Sequence, residues 1–146
     1  MATLTTTINE AVTLNGTRFG STISQTITDI SNVSTGVTSV SASSEATLLT
    51  FGAATAGSTV IATETKYIRI TNLDTTNYIA LRIQLNNNAE FMYKVTAGNT
   101  FILNKSDAAA DADGSAITVS WEALKTIKAQ ADTASVNVET FVATTS

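Results

Sequence analysis

The segment 66–104 constrains the fold more than any other. In 78–85, Ile79, Leu81, Ile83 and Leu85 share one parity, and Tyr78, Ala80, Arg82 and Gln84 take the other. A period of two is the mark of a strand with one buried face. Burying those four side chains contributes roughly 6–12 kcal/mol before chain entropy is counted. Just upstream, Ile68 and Ile70 oppose Tyr67 and Arg69. Between the two runs lies Asn72-Leu-Asp-Thr-Thr-Asn77, rich in side chains that bond their own backbone and so favour a turn. The pair therefore reads as a hairpin, with Tyr67, Arg69, Tyr78 and Arg82 on its outer face. Asn86-Asn-Asn88 is a second turn. Phe91, Tyr93 and Val95 continue the alternation to a third at Ala97-Gly98-Asn99, followed by Phe101 and Leu103.

The same grammar runs through the rest of the chain. Residues 3–14 alternate around Ile8, Val12 and Leu14 and end at Asn15-Gly16, which fits a tight hairpin or a looser loop. Residues 1–10 suit an extended N-terminal arm. Ile23 and Ile27 mark a strand, 31–35 reads as turn-like, and 37–40 reads as a further short strand. Leu49 and Phe51 share a side, 52–58 is a loop of small residues, and 59–62 is a short strand. Residues 106–115 read as an exposed acidic loop. Ile117, Val119 and Trp121 alternate as a strand, which places Trp121 in the core. Residues 122–131 hold better helix formers, with Leu124, Ile127 and Ala131 near one face, and suit one or two helical turns or an irregular connection. Val136, Val138 and Phe141 suggest a last strand.

Strand signals every 8–12 residues point to an all-β fold, and no crossover helix of adequate length separates them. The expected architecture is one antiparallel β-sandwich domain over 1–146, jelly-roll-like, with at most one short helical segment near 122–131. The 146 residues suffice for one domain with a core. Charged residues make up only 14% and about a fifth of the chain is Thr. Thr suits a half-buried pleated surface, and a Thr/Ser/Asn exterior repels its own copies weakly.

Composition also removes function classes. The net charge is −4 and the eight Lys and Arg are scattered, so a nucleic-acid face, which needs a basic stripe, is not expected. No run approaches the roughly 18 apolar residues of a membrane span. Met1–Thr5 lacks a basic stretch leading into an apolar core, so no secretory signal is expected. With no His and no Cys, Ser-His-Asp and Cys-His catalysis and the usual zinc sites are excluded. Glu90, Glu122 and Asp113 are available for two-carboxylate hydrolysis, but no spacing brings two together. No enzyme and no cofactor are expected. Asp111-Ala-Asp113-Gly114, with Asp107 nearby, resembles half of a calcium loop. Its competing reading is a solvated acidic loop ending in a glycine turn. Tyr67, Arg69, Tyr78 and Arg82 are residue types enriched at interfaces. The competing readings are an ordinary strand exterior and a sugar-binding face.

Several stretches together resemble small virion structural proteins of tailed phages, marine ones especially. They are Met1-Ala-Thr-Leu-Thr-Thr-Thr-Ile-Asn-Glu-Ala-Val-Thr-Leu-Asn-Gly16, then Tyr67-Ile-Arg-Ile-Thr-Asn-Leu-Asp-Thr-Thr-Asn77, then 90–101, then 124–143. The resemblance implies a β-sandwich component of the particle and transfers no catalytic residue. Acidity and a neutral surface favour a capsid decoration (cement) protein. Its expected partners are the major capsid protein on the outer surface of the virion and its own copies, as a trimer. A tail, neck or fibre-base subunit and a carbohydrate-binding module are the alternative expectations.

Overall fold

In the computed structural model, which describes residues 1–52, 59–105, 107–109 and 120–146, almost every ordered segment is a strand. The first six are β1 (Ala2–Asn9), β2 (Val12–Leu14), β3 (Thr17–Phe19), β4 (Thr22–Val40), β5 (Ala46–Gly52) and β6 (Thr59–Ile61). A 3-10 turn, Ala62–Glu64, leads into β7 (Thr65–Asn72). Then come β8 (Ile79–Leu85), β9 (Glu90–Val95), β10 (Thr100–Leu103), β11 (Asp107–Ala108), β12 (Glu122–Ala131) and β13 (Val136–Thr145). The expectations for 53–58, Ile117, Val119, Asp111 and Asp113 lie outside the described residues.

One sheet runs β1-β4-β13-β7-β10 and the other β6-β5-β12-β8-β9, with β11 paired to β12. The longer strands pair as β4 with β13, β5 with β12, β7 with β10, and β8 with β9. These pairs nest like one long ribbon folded over itself and alternate between the two sheets. That order is a jelly roll. All these pairings are antiparallel, while β5 and β6 pair in parallel.

The alternation placed the core correctly. Ile79, Leu81, Ile83 and Leu85 are fully buried, and Ile68, Ile70, Val136, Val138 and Val142 face them from the other sheet. Leu49, Phe51, Leu124 and Ile127 complete the contact layer. Such burial offsets most of the entropy lost in ordering the chain.

Three local expectations are corrected. Residues 122–131 form strand β12, not a helix. Its pairing with β8 shifts register between Leu124 and Thr126, and its pairing with β5 shifts between Ile127 and Lys128. The extra residue puts buried Leu124 and Ile127 three apart, which imitates a helical face. Residues 31–35 are not a turn but the middle of β4, held by β13 from Val136↔Val40 to Thr144↔Asn32. Trp121 is 68% exposed, so it is not core. Phe141 points to the outer face, because the inward parity of β13 is Val136, Val138, Thr140 and Val142.

β7 and β8 do not form a hairpin, since they belong to different sheets. The segment Asn72–Asn77 crosses the sandwich. Buried Asn72 anchors it: its amide nitrogen donates to the carbonyls of Asn77 at 2.8 Å and Val95 at 3.2 Å. Its Oδ1 accepts from the Asp74 N–H at 3.0 Å.

Candidate interaction surface

The four residues expected to share one face are divided between opposite faces. Tyr67 and Arg69 lie on the outside of the β7 sheet, and Arg82 lies on the outside of the β8 sheet. Tyr67 is only 5% exposed and meets Phe141 edge-on at 6.0 Å. Arg69 sits over the same Phe141 ring and pairs with Glu139 at 3.2 Å. On the far side, Arg82 donates to both Glu45 and Glu90, and Lys128 reaches Glu45 at 3.7 Å. The hydrogen bond to Glu45 holds the Arg82 guanidinium above its ordinary pKa, and the charges of Glu45 and Glu90 add to it. The Lys94 ammonium covers the Tyr78 ring at 3.7 Å. Each of these cations has a partner within the chain.

Among the described residues, no group of three or more acidic side chains converges on a metal position. Asp107 lies in β11, half-buried, with the Lys105 ammonium 4.0 Å away. The Asp74 carboxylate is engaged as a turn cap. The N–H groups of Asn77 and Thr76 donate to it and hold its pKa below the usual carboxylate value. No described helix is long and apolar enough to cross a membrane.

A group of uncovered apolar residues lies elsewhere, on an N-terminal ribbon. β1 pairs with the first half of β4 from Asn9↔Thr22 to Ala2↔Ile30. Near its base two residues of β4, Thr28 and Asp29, oppose one of β1, and Asp29 takes a left-handed φ of 64°. That bulge bends the ribbon over the outside of the sheet. There Leu4 and Ile27 pack on Ile30, Tyr67, Phe141 and Ala143. Of residues 1–10, expected as an extended arm, Ala2–Asn9 are thus an edge strand of this ribbon.

At its tip, β2 and β3 form a two-residue hairpin with Val12 opposite Phe19. Asn15 and Gly16 both have positive φ, 51° and 79°, as a type I′ turn requires. Gly20, at φ 124°, lies where a Cβ would collide with the Glu10 carbonyl, so the chain returns past Glu10 only through glycine. Ile8, Val12, Leu14, Phe19 and Ile23 are each more than half exposed. Ile8 and Ile23, with Ile102 of β10, border a groove of about 370 Å³. A second cleft, of about 570 Å³, opens between the sheets beside Ser34, Gly36 and Thr38 of β4 and Leu48 and Val60 opposite.

No protein-family model, curated protein or solved structure matches the chain. The sequence singled out aromatic and Arg positions and passed over the ribbon. Its only signal was apolar residues in strand phase within a Thr-rich stretch, and that pattern does not distinguish a covered face from a bare one.

Proposed function

We propose that this protein is a phage virion structural protein, a decoration (cement) protein that binds the outside of the major capsid shell and stabilises it. The observation that carries the reading is the bare apolar ribbon, with Ile8, Val12, Leu14, Phe19 and Ile23 held away from the core. Exposed apolar residues gathered on one ribbon, beyond those scattered singly over a surface, mark a contact surface. The sandwich behind it is a stiff mount of a kind used in viral capsids. The sparse charges and the net charge of −4 suit a protein partner better than packaged DNA.

Burying five half-exposed side chains contributes about 1 kcal/mol each. About 5 kcal/mol barely offsets the cost of association, so many copies acting together, bound to the shell and to one another, are needed. Binding only to assembled shell then stabilises it by mass action.

The test is to strip the protein from particles that carry it and to measure rupture temperature. Stripped particles rupture at lower temperature and recover when the protein is added back. Unchanged rupture temperature in both steps removes the cementing role. Label on antibody against the protein should cover the whole head; label at one vertex makes it a tail or neck subunit instead.

A further inference from the structure

Among the described residues, the second half of β4 presents an edge that is unguarded and self-complementary. β13 pairs with one side of 30–40, and β1 covers the other side only as far as Ile30. Among the described residues, nothing pairs with the outer edge of 31–40. Edge strands are normally protected from pairing by charge, proline, bulges or shortness. This one, Ser31-Asn-Val-Ser-Thr-Gly-Val-Thr-Ser-Val40, has no charged residue, no proline, and an unbroken register with β13 from Val40 to Asn32. The other edges are better protected. β10 has four residues, β6 has three, and β9 carries Glu90 and Lys94. β1 is uncharged, but its apolar residues Leu4 and Ile8 serve the Tyr67 cluster and the groove.

The central outer-face side chains of this segment are Val33, Thr35 and Val37, and the two valines are 48% and 62% exposed. They flank Thr35 symmetrically. We propose that β4 pairs with β4 of a second copy of this chain, antiparallel across a two-fold axis at Thr35. The two β4 sheets then become one continuous sheet. A two-fold axis perpendicular to the sheet keeps outer faces together, so Val33 meets Val37 of the second copy and Val37 meets its Val33. Directly opposed side chains in such a pair stand about 5 Å apart, within packing contact. No charge meets its like at the axis, since the segment has none. An interface of this kind is isologous, as two-fold dimers require. The half-buried Leu48 and Val60 at the mouth of the neighbouring cleft lie beside the new seam.

This contact supplies the self-association in the proposed function and rests on that reading only for its biological use. It builds pairs, so the trimer expected above would need a different surface.

The test is sedimentation equilibrium of the full purified chain without particles, which leaves the capsid reading untouched whichever way it falls. The wild-type chain self-associates as a dimer. Val33→Lys with Val37→Lys places like charges in opposition twice and weakens the dimer by about tenfold or more. Val33→Lys with Val37→Glu places opposite charges in the same register and restores it. Both sites are exposed, and circular dichroism should show the same fold in all three. A wild-type chain that stays monomeric, an assembly indifferent to the two lysines, or a Lys/Glu pair that fails to restore the dimer each overturns the proposal.

Discussion

Removing the Asn72 side chain should loosen the crossover between the sheets without touching the hydrophobic core. Asn72 is fully buried at the end of β7, and its amide makes three hydrogen bonds. Two go to carbonyls: that of Asn77, at the start of the second sheet, and that of Val95, at the end of β9. The third receives the Asp74 N–H and sets the turn. In Asn72→Ala each bond forfeits about 1 kcal/mol net, and two carbonyls lose a partner away from water. The expected loss is about 3–4 kcal/mol. For a chain of this length that lowers Tm by about 8–12 °C. Asn72→Asp should be worse than alanine at neutral pH, because a buried carboxylate would face two carbonyls. Its deficit should shrink as the solution is acidified and the carboxylate takes a proton. Calorimetry of the three proteins decides the matter. A Tm change below about 2 °C for Asn72→Ala would refute the role of this side chain in joining the sheets.

Three smaller effects follow from the same structure. Arg82→Met should leave the urea unfolding midpoint nearly unchanged, because its side chain is about a third exposed and its two carboxylate partners stay hydrated without it. The folded-state pKa of Asp74 is lowered, so its turn adds stability above the ordinary carboxylate value of 3.8 and loses it as pH falls through the lower folded value. Unfolding at pH 2 and pH 6 should therefore show a smaller pH dependence in Asp74→Asn than in wild type. Gly20→Ala, which sets a Cβ against the Glu10 carbonyl, should disturb amide NMR signals of 10–21 and leave those of β8 in place.

The sequence made the layers legible and their assembly much less so. Ile79, Leu81, Ile83 and Leu85 announce a buried face because alternation is a property of one strand. Which sheet that strand joins is a property of the whole chain. Asn72–Asn77 carries turn chemistry, and turn chemistry says that the backbone bends without saying whether it returns to the same sheet. The backbone answer is non-local: the Leu73 N–H bonds the Asn137 carbonyl, far along the chain. The bulge in β12 hid a strand behind helical spacing. Ser31–Thr35 is turn-prone in isolation, yet pairing with β13 overrides that preference. The division of Tyr67 and Arg69 from Tyr78 and Arg82 follows from the same crossover. Burial of Tyr67 depends on the ribbon folding back at Asp29, which local sequence does not foretell.

The claim on which the functional account rests is that the sandwich is a mount and the N-terminal ribbon makes the contact. Amide hydrogen exchange, compared between free and particle-bound protein, tests it most directly. The account predicts new protection concentrated in residues 8–23, with β7 and β8 slow to exchange in both states. Protection confined to the Arg82 face, with the ribbon exchanging as freely as before, would contradict it.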